Sequence, residues 1–139
     1  MVEPLKISYQ AFNNDWDLLQ EFLKRNGNPR YELIGDVDFY FERDIIDFGN
    51  LVRINGCLVL TRIPIKSLGN LKYVGGYLDL SGIPIQSLGN LEYVGDDLYL
   101  YNTSIQSLGK LIHVGGEIWL SRRHQIPKEE LVRFKTYIC

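Results

Sequence analysis

Apolar residues recur along most of the chain at a fixed spacing of 20 residues. The stretch from Ile65 to Leu80 is followed by a near copy from Ile85 to Leu100 and by another from Ile105 to Leu120. A looser unit in the same phase precedes them. The units occupy residues 45–64, 65–84, 85–104 and 105–124. A repeat of this length predicts a solenoid, in which each unit forms one coil that packs only against its neighbours.

Six apolar positions keep the same phase in every unit, so each coil is expected to turn six side chains inward. These columns are 45/65/85/105, 48/68/88/108, 51/71/91/111, 54/74/94/114, 58/78/98/118 and 60/80/100/120. Burying six such side chains contributes on the order of 10–15 kcal/mol. Ordering the residues of one coil costs more, at about 1.5 kcal/mol each. A single coil therefore depends on its neighbours for stability.

The spacing of the last two columns, as in Leu78-x-Leu80, predicts a short strand, and stacked coils would align these strands into a parallel sheet. Glycine, or asparagine in the first unit, at 55/75/95/115 predicts a corner with positive φ. Glycine at 49/69/89/109 predicts a second corner or a close contact between coils. The serines at 67, 87 and 107 are expected to cap turn backbone groups, not to act as nucleophiles.

The N-terminal segment, residues 1–44, is expected to cap the stack with a helix and a degenerate strand. The helix is predicted over residues 14–27, with Asn14 as its N-cap and Gly27 and Pro29 ending it. One helix face carries apolar side chains, namely Trp16, Leu19, Phe22 and Leu23. The stretch from Ile34 to Tyr40 resembles the Val-Gly-x-Leu-x-Leu part of a unit with one residue missing.

Residues 125–139 are expected to cap the other end with a second helix. Pro127 would open it, with Leu131, Phe134 and Ile138 on one face. Both helices would cover the open ends of the apolar stack. The chain is thus predicted to be a single domain of 139 residues.

These units resemble the leucine-rich repeat family. Leu-x-Leu, followed by an isoleucine and then by Ser-Leu-Gly-Asn-Leu, is similar to the short repeats of bacterial leucine-rich proteins. The stretch Val74-Gly75-Gly76-x-Leu78-x-Leu80 also resembles receptor L domains, and Ser-Leu-Gly-Asn-Leu-x-x-Val-Gly-Gly is similar to repeats of phage and bacterial proteins. The resemblance covers residues 45–124. It implies a right-handed, mostly β solenoid of the α/β class that binds through its strand face and needs no cofactor.

One departure from the family follows the strand. Ile63, Ile83 and Thr103 stand where the family places an asparagine. The usual asparagine ladder is therefore expected to be absent at this position. The far side of each coil would then be built either on the usual helical turns or on extra short strands.

The side chains between the inward positions of the strands should face outward. On this face we expect a partner-binding set of aromatic and acidic residues: Asp36, Asp38, Tyr40, Tyr77, Asp79, Asp97, Tyr99, Tyr101, Glu117 and Trp119. Tyrosine and tryptophan dominate interface energetics, and the carboxylates favour a basic partner. The alternative, compatible with the first, is that the aromatic residues stack between coils and keep the sheet regular.

Composition narrows the class of function. A net charge of −2 gives no bulk attraction to nucleic acid or anionic membranes. The apolar stretches are too short to span a bilayer, and the N-terminus does not read as a secretory signal. Cys57 and Cys139 are expected to be free thiols, which favours a cytoplasmic location. His113 is interpreted as an ordinary outer-face residue, and no metal site, cofactor or catalytic residue is expected.

The preferred hypothesis is a non-enzymatic module that binds another protein, one with a basic surface. Two alternatives remain open, a structural component of an assembly such as a phage or viral particle and a carbohydrate-binding module. Self-association through Tyr99, Tyr101 and Trp119 is also compatible with the pattern.

Overall fold

The chain folds as a parallel β-solenoid of about five coils. The computed structural model describes residues 3–39, 47–61 and 63–139. Its elements are β1 (Leu5–Ser8), a 3-10 turn (Tyr9–Phe12), α1 (Trp16–Arg25), β2 (Tyr31–Ile34), β3 (Val37–Asp38), β4 (Leu51–Ile54), β5 (Leu58–Val59), β6 (Tyr73–Val74), β7 (Leu78–Asp79), β8 (Tyr93–Val94), β9 (Leu98–Leu100), β10 (His113–Val114), β11 (Glu117–Leu120), α2 (Lys128–Leu131) and β12 (Lys135–Ile138).

The strands form two six-stranded parallel sheets. Sheet 1 has the order β1-β2-β4-β6-β8-β10, and sheet 2 has the order β12-β11-β9-β7-β5-β3. Sheet 2 contains the predicted strand of each coil, with Leu78 in register with Leu98. Sheet 1 consists of further short strands, which the sequence analysis left open as an alternative to helical turns without giving their positions. Its strands from β4 onward come just before the corner at 55/75/95/115 in each coil, and Tyr73 is in register with Tyr93.

The inward columns of the repeat form one continuous core. Leu58, Leu78, Leu98 and Ile118 are fully buried, and the neighbouring column at 60/80/100/120 is buried with them. Ile45, the first residue of its column, lies outside the described residues. Ile63 and Ile83 are also buried. Two of the three positions where the family places an asparagine thus hold an isoleucine that packs in the core. Thr103 is partly buried, and its hydroxyl donates to the carbonyl of Leu100 at 3.0 Å.

The two glycine columns have different roles, and the corner expected at 49/69/89/109 is confirmed. Gly49, Gly69, Gly89 and Gly109 have φ between 57° and 60°, so these positions are the left-handed turns. The expectation of a positive φ at 55/75/95/115 is wrong. There a Cβ would overlap the carbonyl oxygen of the preceding coil, as at Gly95 against Gly75. Glycine is needed in this column because two backbones approach too closely for a side chain.

The serine column caps turns, as predicted. The hydroxyl oxygens of Ser67, Ser87 and Ser107 accept hydrogen bonds from the backbone N–H two residues later, at 2.9, 3.0 and 3.0 Å. Asp47 does the same for Gly49 at 2.9 Å. In the first unit, Asp47 therefore forms the turn cap that serine forms in the later units.

An asparagine ladder does run along the solenoid, at a column that the sequence did not single out. The Asn50 side chain donates to the carbonyl of Asn28 at 2.7 Å, and that of Asn70 to Asn50 Oδ1 at 3.4 Å. Asn90 donates to the carbonyl of Gly69 at 3.0 Å. These side chains link each coil to the one before it.

The N-terminal segment contains a helix, Trp16–Arg25, that is shorter than the predicted one and has a different N-cap residue. Asp15 is the N-cap and accepts from the backbone N–H of Leu18 at 3.1 Å. Asn14 instead lies in a left-handed turn with φ 53°. Three of the four predicted face residues are buried, whereas Phe22 is half-exposed and packs on Phe12.

The helix connects β1 to β2, which pair in parallel, so the N-terminal segment has two strands in addition to the predicted one. Trp16 of the helix packs edge-on against Phe39 and Phe48, at centroid distances of 5.2 and 5.9 Å. In the first coil Leu33, not Ile34, is in register with Ile54. Since Val37 is in register with Leu58, the segment from Leu33 to Val37 is as long as that from Ile54 to Leu58. The corner of this first coil therefore lacks no residue.

The C-terminal helix prediction is largely wrong. The helix ends at Leu131 after one turn, and β12 then pairs in parallel with β11. Leu131 and Phe134 lie 20 residues after Leu111 and Val114, so they continue two core columns. The coil pattern thus runs on past residue 124, and Ile138 lies on a strand, not on a helix face.

The close contact at the glycine corner predicts the effect of adding one methyl group. We expect Gly95→Ala to lower the free energy of unfolding by about 2–3 kcal/mol, because the Cβ would displace the backbone of the coil before it. Urea unfolding followed by circular dichroism measures this. In the control Gly89→Asn, the loss should stay below about 1 kcal/mol, because asparagine tolerates a left-handed turn and the site is open. Equal losses in both variants would contradict the assigned roles.

Candidate functional site

An aromatic cluster lies across the outer face of sheet 2. We define it as Tyr77, Tyr99, Tyr101, Trp119 and Tyr137. Tyr77 meets Tyr99 edge-on at 6.1 Å between ring centroids, and Tyr99 stacks on Trp119 at 6.0 Å. Trp119 also contacts Tyr101 at 6.4 Å and Tyr137 at 4.5 Å. Strand alternation puts these side chains outward, because their neighbours fill the core.

Tyr137 is the member of the aromatic cluster that sequence reasoning missed. It lies on β12 in register with Trp119. The sequence contains a signal for β12. If the last coil lacks the two-residue corner formed by Gly115 and Gly116 in the coil before, Thr136 and Ile138 align with Ile118 and Leu120, with which they pair in the structure. The shortened corner hides this match from a search at a fixed spacing of 20 residues.

The aromatic cluster is partly open to solvent. Tyr77 and Tyr137 are 37% and 49% exposed, and the other three rings are partly buried. The indole Nε1 of Trp119 is buried without a hydrogen-bond partner among the described residues. The rings therefore stack on one another, as the alternative interpretation expected, and still present a continuous aromatic surface.

Several of the predicted acidic residues hold the backbone together. Asp36 Oδ1 accepts from the N–H of Cys57, and Asp97 Oδ1 from that of Glu117, both at 2.8 Å. Cys57 Sγ accepts from the N–H of Tyr77 at 3.3 Å in the same column. These bonds join successive coils at the start of sheet 2, which is a structural role that the sequence analysis did not assign.

The other acidic residues are placed along the same face. Asp79 Oδ1 accepts from the N–H of Ser81 at 2.9 Å, and Asp38 is exposed on β3 next to Val59. Glu117 is in register with Lys135 of β12. Tyr40 lies outside the described residues. The described part of the face therefore places the other predicted residues on sheet 2 or at its entry corner, except Tyr101, which directly follows the end of β9.

Three tyrosines of the aromatic cluster, Tyr77, Tyr99 and Tyr101, have a raised pKa. Partial burial, followed by the nearby Cys57 and the carboxylates, raises the pKa of Tyr77. Partial burial and the hydrogen bond from the Tyr99 hydroxyl to Asp97 Oδ2, at 3.2 Å, raise the pKa of Tyr99. Desolvation and then the neighbouring Cys139 raise the pKa of Tyr101 to about 12.

A second aromatic ladder crosses the outer face of sheet 1. Tyr73 and Tyr93 stack at 4.5 Å with 5° between their planes, and His113 stacks on Tyr93 at 4.6 Å. The Arg53 guanidinium lies over the Tyr73 ring, 3.6 Å from its centroid. The sequence analysis interpreted His113 as an ordinary outer-face residue, and it is exposed on that face, but its stacking was not predicted. The signal was the column 53/73/93/113, which is aromatic or cationic in every coil.

The structure contains no group of three or more metal-binding side chains within the described residues. None of the helices in that part of the chain is long and apolar enough to cross a membrane. A scan against protein-family models found no match, and searches of curated proteins and of solved structures found none either. The class of the molecule therefore rests on its own geometry, a two-sheet parallel β-solenoid with an aromatic and acidic face.

The raised tyrosine pKa values predict an alkaline limit to stability. Because the fold favours neutral Tyr101, its contribution to stability is complete below pH 10 and is lost as the pH rises through about 12. We expect Tyr101→Phe to flatten the fall in unfolding free energy across this range. Urea unfolding at several pH values measures it, with tyrosinate absorbance recorded in parallel. The same pH slope in the variant and the wild type would contradict this assignment.

Proposed function

We propose that the protein is a non-enzymatic binding module that docks another protein on the outer face of sheet 2. The observation that carries this proposal is the aromatic cluster, which spans four neighbouring strands and stays partly exposed. Rigid, preassembled tyrosine and tryptophan side chains offer a large contact area at a small entropy cost. A purely solvated strand face has no need of such a surface.

The charge of the face favours a basic partner. Carboxylates flank the aromatic cluster, and the three outward columns of β5, β7, β9 and β11 contain no lysine or arginine. On this face, Lys135 of β12 lies beside Glu117. Asp36, Asp79 and Asp97 each bond a backbone N–H through one oxygen, and this leaves their negative charge in place. Such a field speeds the encounter with a positively charged surface and selects against acidic ones.

An open face supports binding better than catalysis. Acid–base chemistry on carboxylates needs a cleft that removes water from one acid. Here the carboxylates lie along a sheet surface and serve as backbone acceptors. The repeat further supports a right-handed coil of the leucine-rich repeat type, as the resemblance implies. The two free cysteines fit the reducing interior of a cell.

Replacing two adjacent rings of the aromatic cluster tests the proposal. We expect Tyr99→Ala combined with Trp119→Ala to lose a bound protein that the wild type captures from its host, identified by mass spectrometry. The affinity should fall at least about tenfold, because aromatic hot spots contribute about 2 kcal/mol or more each. Binding of the purified partner should also weaken as salt is raised.

The matched control removes two stacked rings from the other sheet, with Tyr73→Ala combined with Tyr93→Ala. This variant should keep its partner, and circular dichroism should show that both double variants are folded. Undiminished capture by a folded Tyr99/Trp119 variant would overturn the proposal. Binding of the wild type to glycans alone, in an array lacking proteins, would replace it with the carbohydrate alternative.

A further inference from the structure

A shallow pocket lies on the outer face of sheet 1, on the sheet that does not carry the aromatic cluster. Its volume is about 390 Å³. Four cationic side chains and two carboxylates line it, namely Lys6, Arg30, Arg53, Lys72, Glu3 and Glu32. Cations therefore outnumber carboxylates in a protein whose net charge is −2. Neither the repeat nor the proposed protein-binding face accounts for this concentration of positive charge.

Arg53 is held in place by two neighbours. Its guanidinium lies flat over the Tyr73 ring, 3.6 Å from the centroid. Its Nε lies 3.8 Å from a carboxylate oxygen of Glu32, whose side chain is only 10% exposed. The Arg53 side chain itself remains 44% exposed. A stacked and oriented guanidinium keeps N–H groups available for a ligand without having to lose rotamer freedom on binding.

The other three cations of the pocket have no ion-pair partner among the described residues, where the ion pairs are Arg25–Glu21 and Arg53–Glu32. Lys6 lies one strand from Glu32 and two strands from Arg53, which places its backbone about 10 Å from that of Arg53. Arg30 and Lys72 flank the same opening. Unpaired cations that converge on one opening attract a ligand carrying several negative charges.

The positive region is short. After Lys72, the same column continues with Glu92 and then with Ile112, which is 66% exposed. On the next two strands of sheet 1, the positions in register with Arg53 are occupied by Tyr73 and Tyr93, which add no positive charge. A long polyanion would therefore leave the cationic region after a few ångströms and meet a carboxylate. The size of the region fits a compact ligand.

We propose that this pocket is a binding site for a compact, multiply charged oxyanion of the phosphate ester or pyrophosphate type. Arg53 donates two hydrogen bonds to one phosphoryl group, and Lys6, Arg30 and Lys72 neutralise the remaining charge. Tyr73 and Glu32 act as positioning residues, because they orient Arg53. The site is separate from the protein-binding face, so either can exist without the other.

Variants with an unchanged net charge distinguish a built site from general attraction between charges. The probe is inorganic tripolyphosphate, titrated calorimetrically into the full chain at constant ionic strength. We expect saturable binding that falls roughly tenfold in Arg53→Lys, which keeps the charge and loses the bidentate geometry. In Tyr73→Leu the loss of the stacking platform should weaken binding roughly threefold.

Two controls complete the test. Tyr73→Phe keeps the ring and should bind like the wild type, and Tyr93→Leu removes the next ring of the same ladder without touching Arg53. Equal affinity in the wild type, Arg53→Lys and Tyr73→Leu would overturn the proposal, as would a wild type that shows no saturable binding. A loss in Tyr93→Leu as large as that in Tyr73→Leu would also overturn it, since the effect would then come from the sheet and not from Arg53.

Discussion

The structure depends on the close approach of successive backbones at the glycine corner between the two sheets. The N–H of Gly95 donates to the carbonyl of Val74, and the N–H of Gly115 to that of Val94, both at 2.9 Å. A side chain at either glycine would overlap the preceding coil. The backbone hydrogen bond recurs at the corner of every unit, with Asn55 in the place of glycine in the first unit. It holds the coils in a common register and places each column of side chains directly above the last.

Because the coils are in register, side chains at the same position of successive units stack into ladders. Tyr73, Tyr93 and His113 stack because the same position recurs one strand spacing away, and so do Tyr99 and Trp119 on the other sheet. A ladder stabilises the stack and also presents a continuous surface, so the structural and the binding interpretations of the aromatic residues do not exclude one another. The solenoid thereby carries two chemically different faces, aromatic with carboxylates on sheet 2 and aromatic with cations on sheet 1.

The sequence predicted the parts of this structure that repeat without interruption. The inward columns, the serine caps and the outward set on sheet 2 all follow from a constant spacing. It left extra short strands open but did not give the positions of those in sheet 1, because two-residue strands such as Tyr73–Val74 are too short to show an alternation of polar and apolar residues. A positive φ was wrongly expected at 55/75/95/115, because a left-handed turn and a close contact between backbones both select glycine.

The last coil was missed for a different reason. Without the Gly115-Gly116 corner, its strand falls 18 residues after β11, with Thr136 in register with Ile118. Leu131 and Phe134 have a spacing that also suits a helix, so local pattern alone favoured the wrong element. Tyr137 was consequently left out of the aromatic cluster, although it makes one of the shortest ring contacts there.

Amide hydrogen exchange measured by NMR tests the stacked register most directly. The N–H groups of Gly95 and Gly115 should exchange at rates limited by global unfolding, because each is bonded to the preceding coil at a corner that admits no side chain. Exchange of these two amides at the rate of an unstructured peptide, in a protein whose core amides are protected, would contradict it.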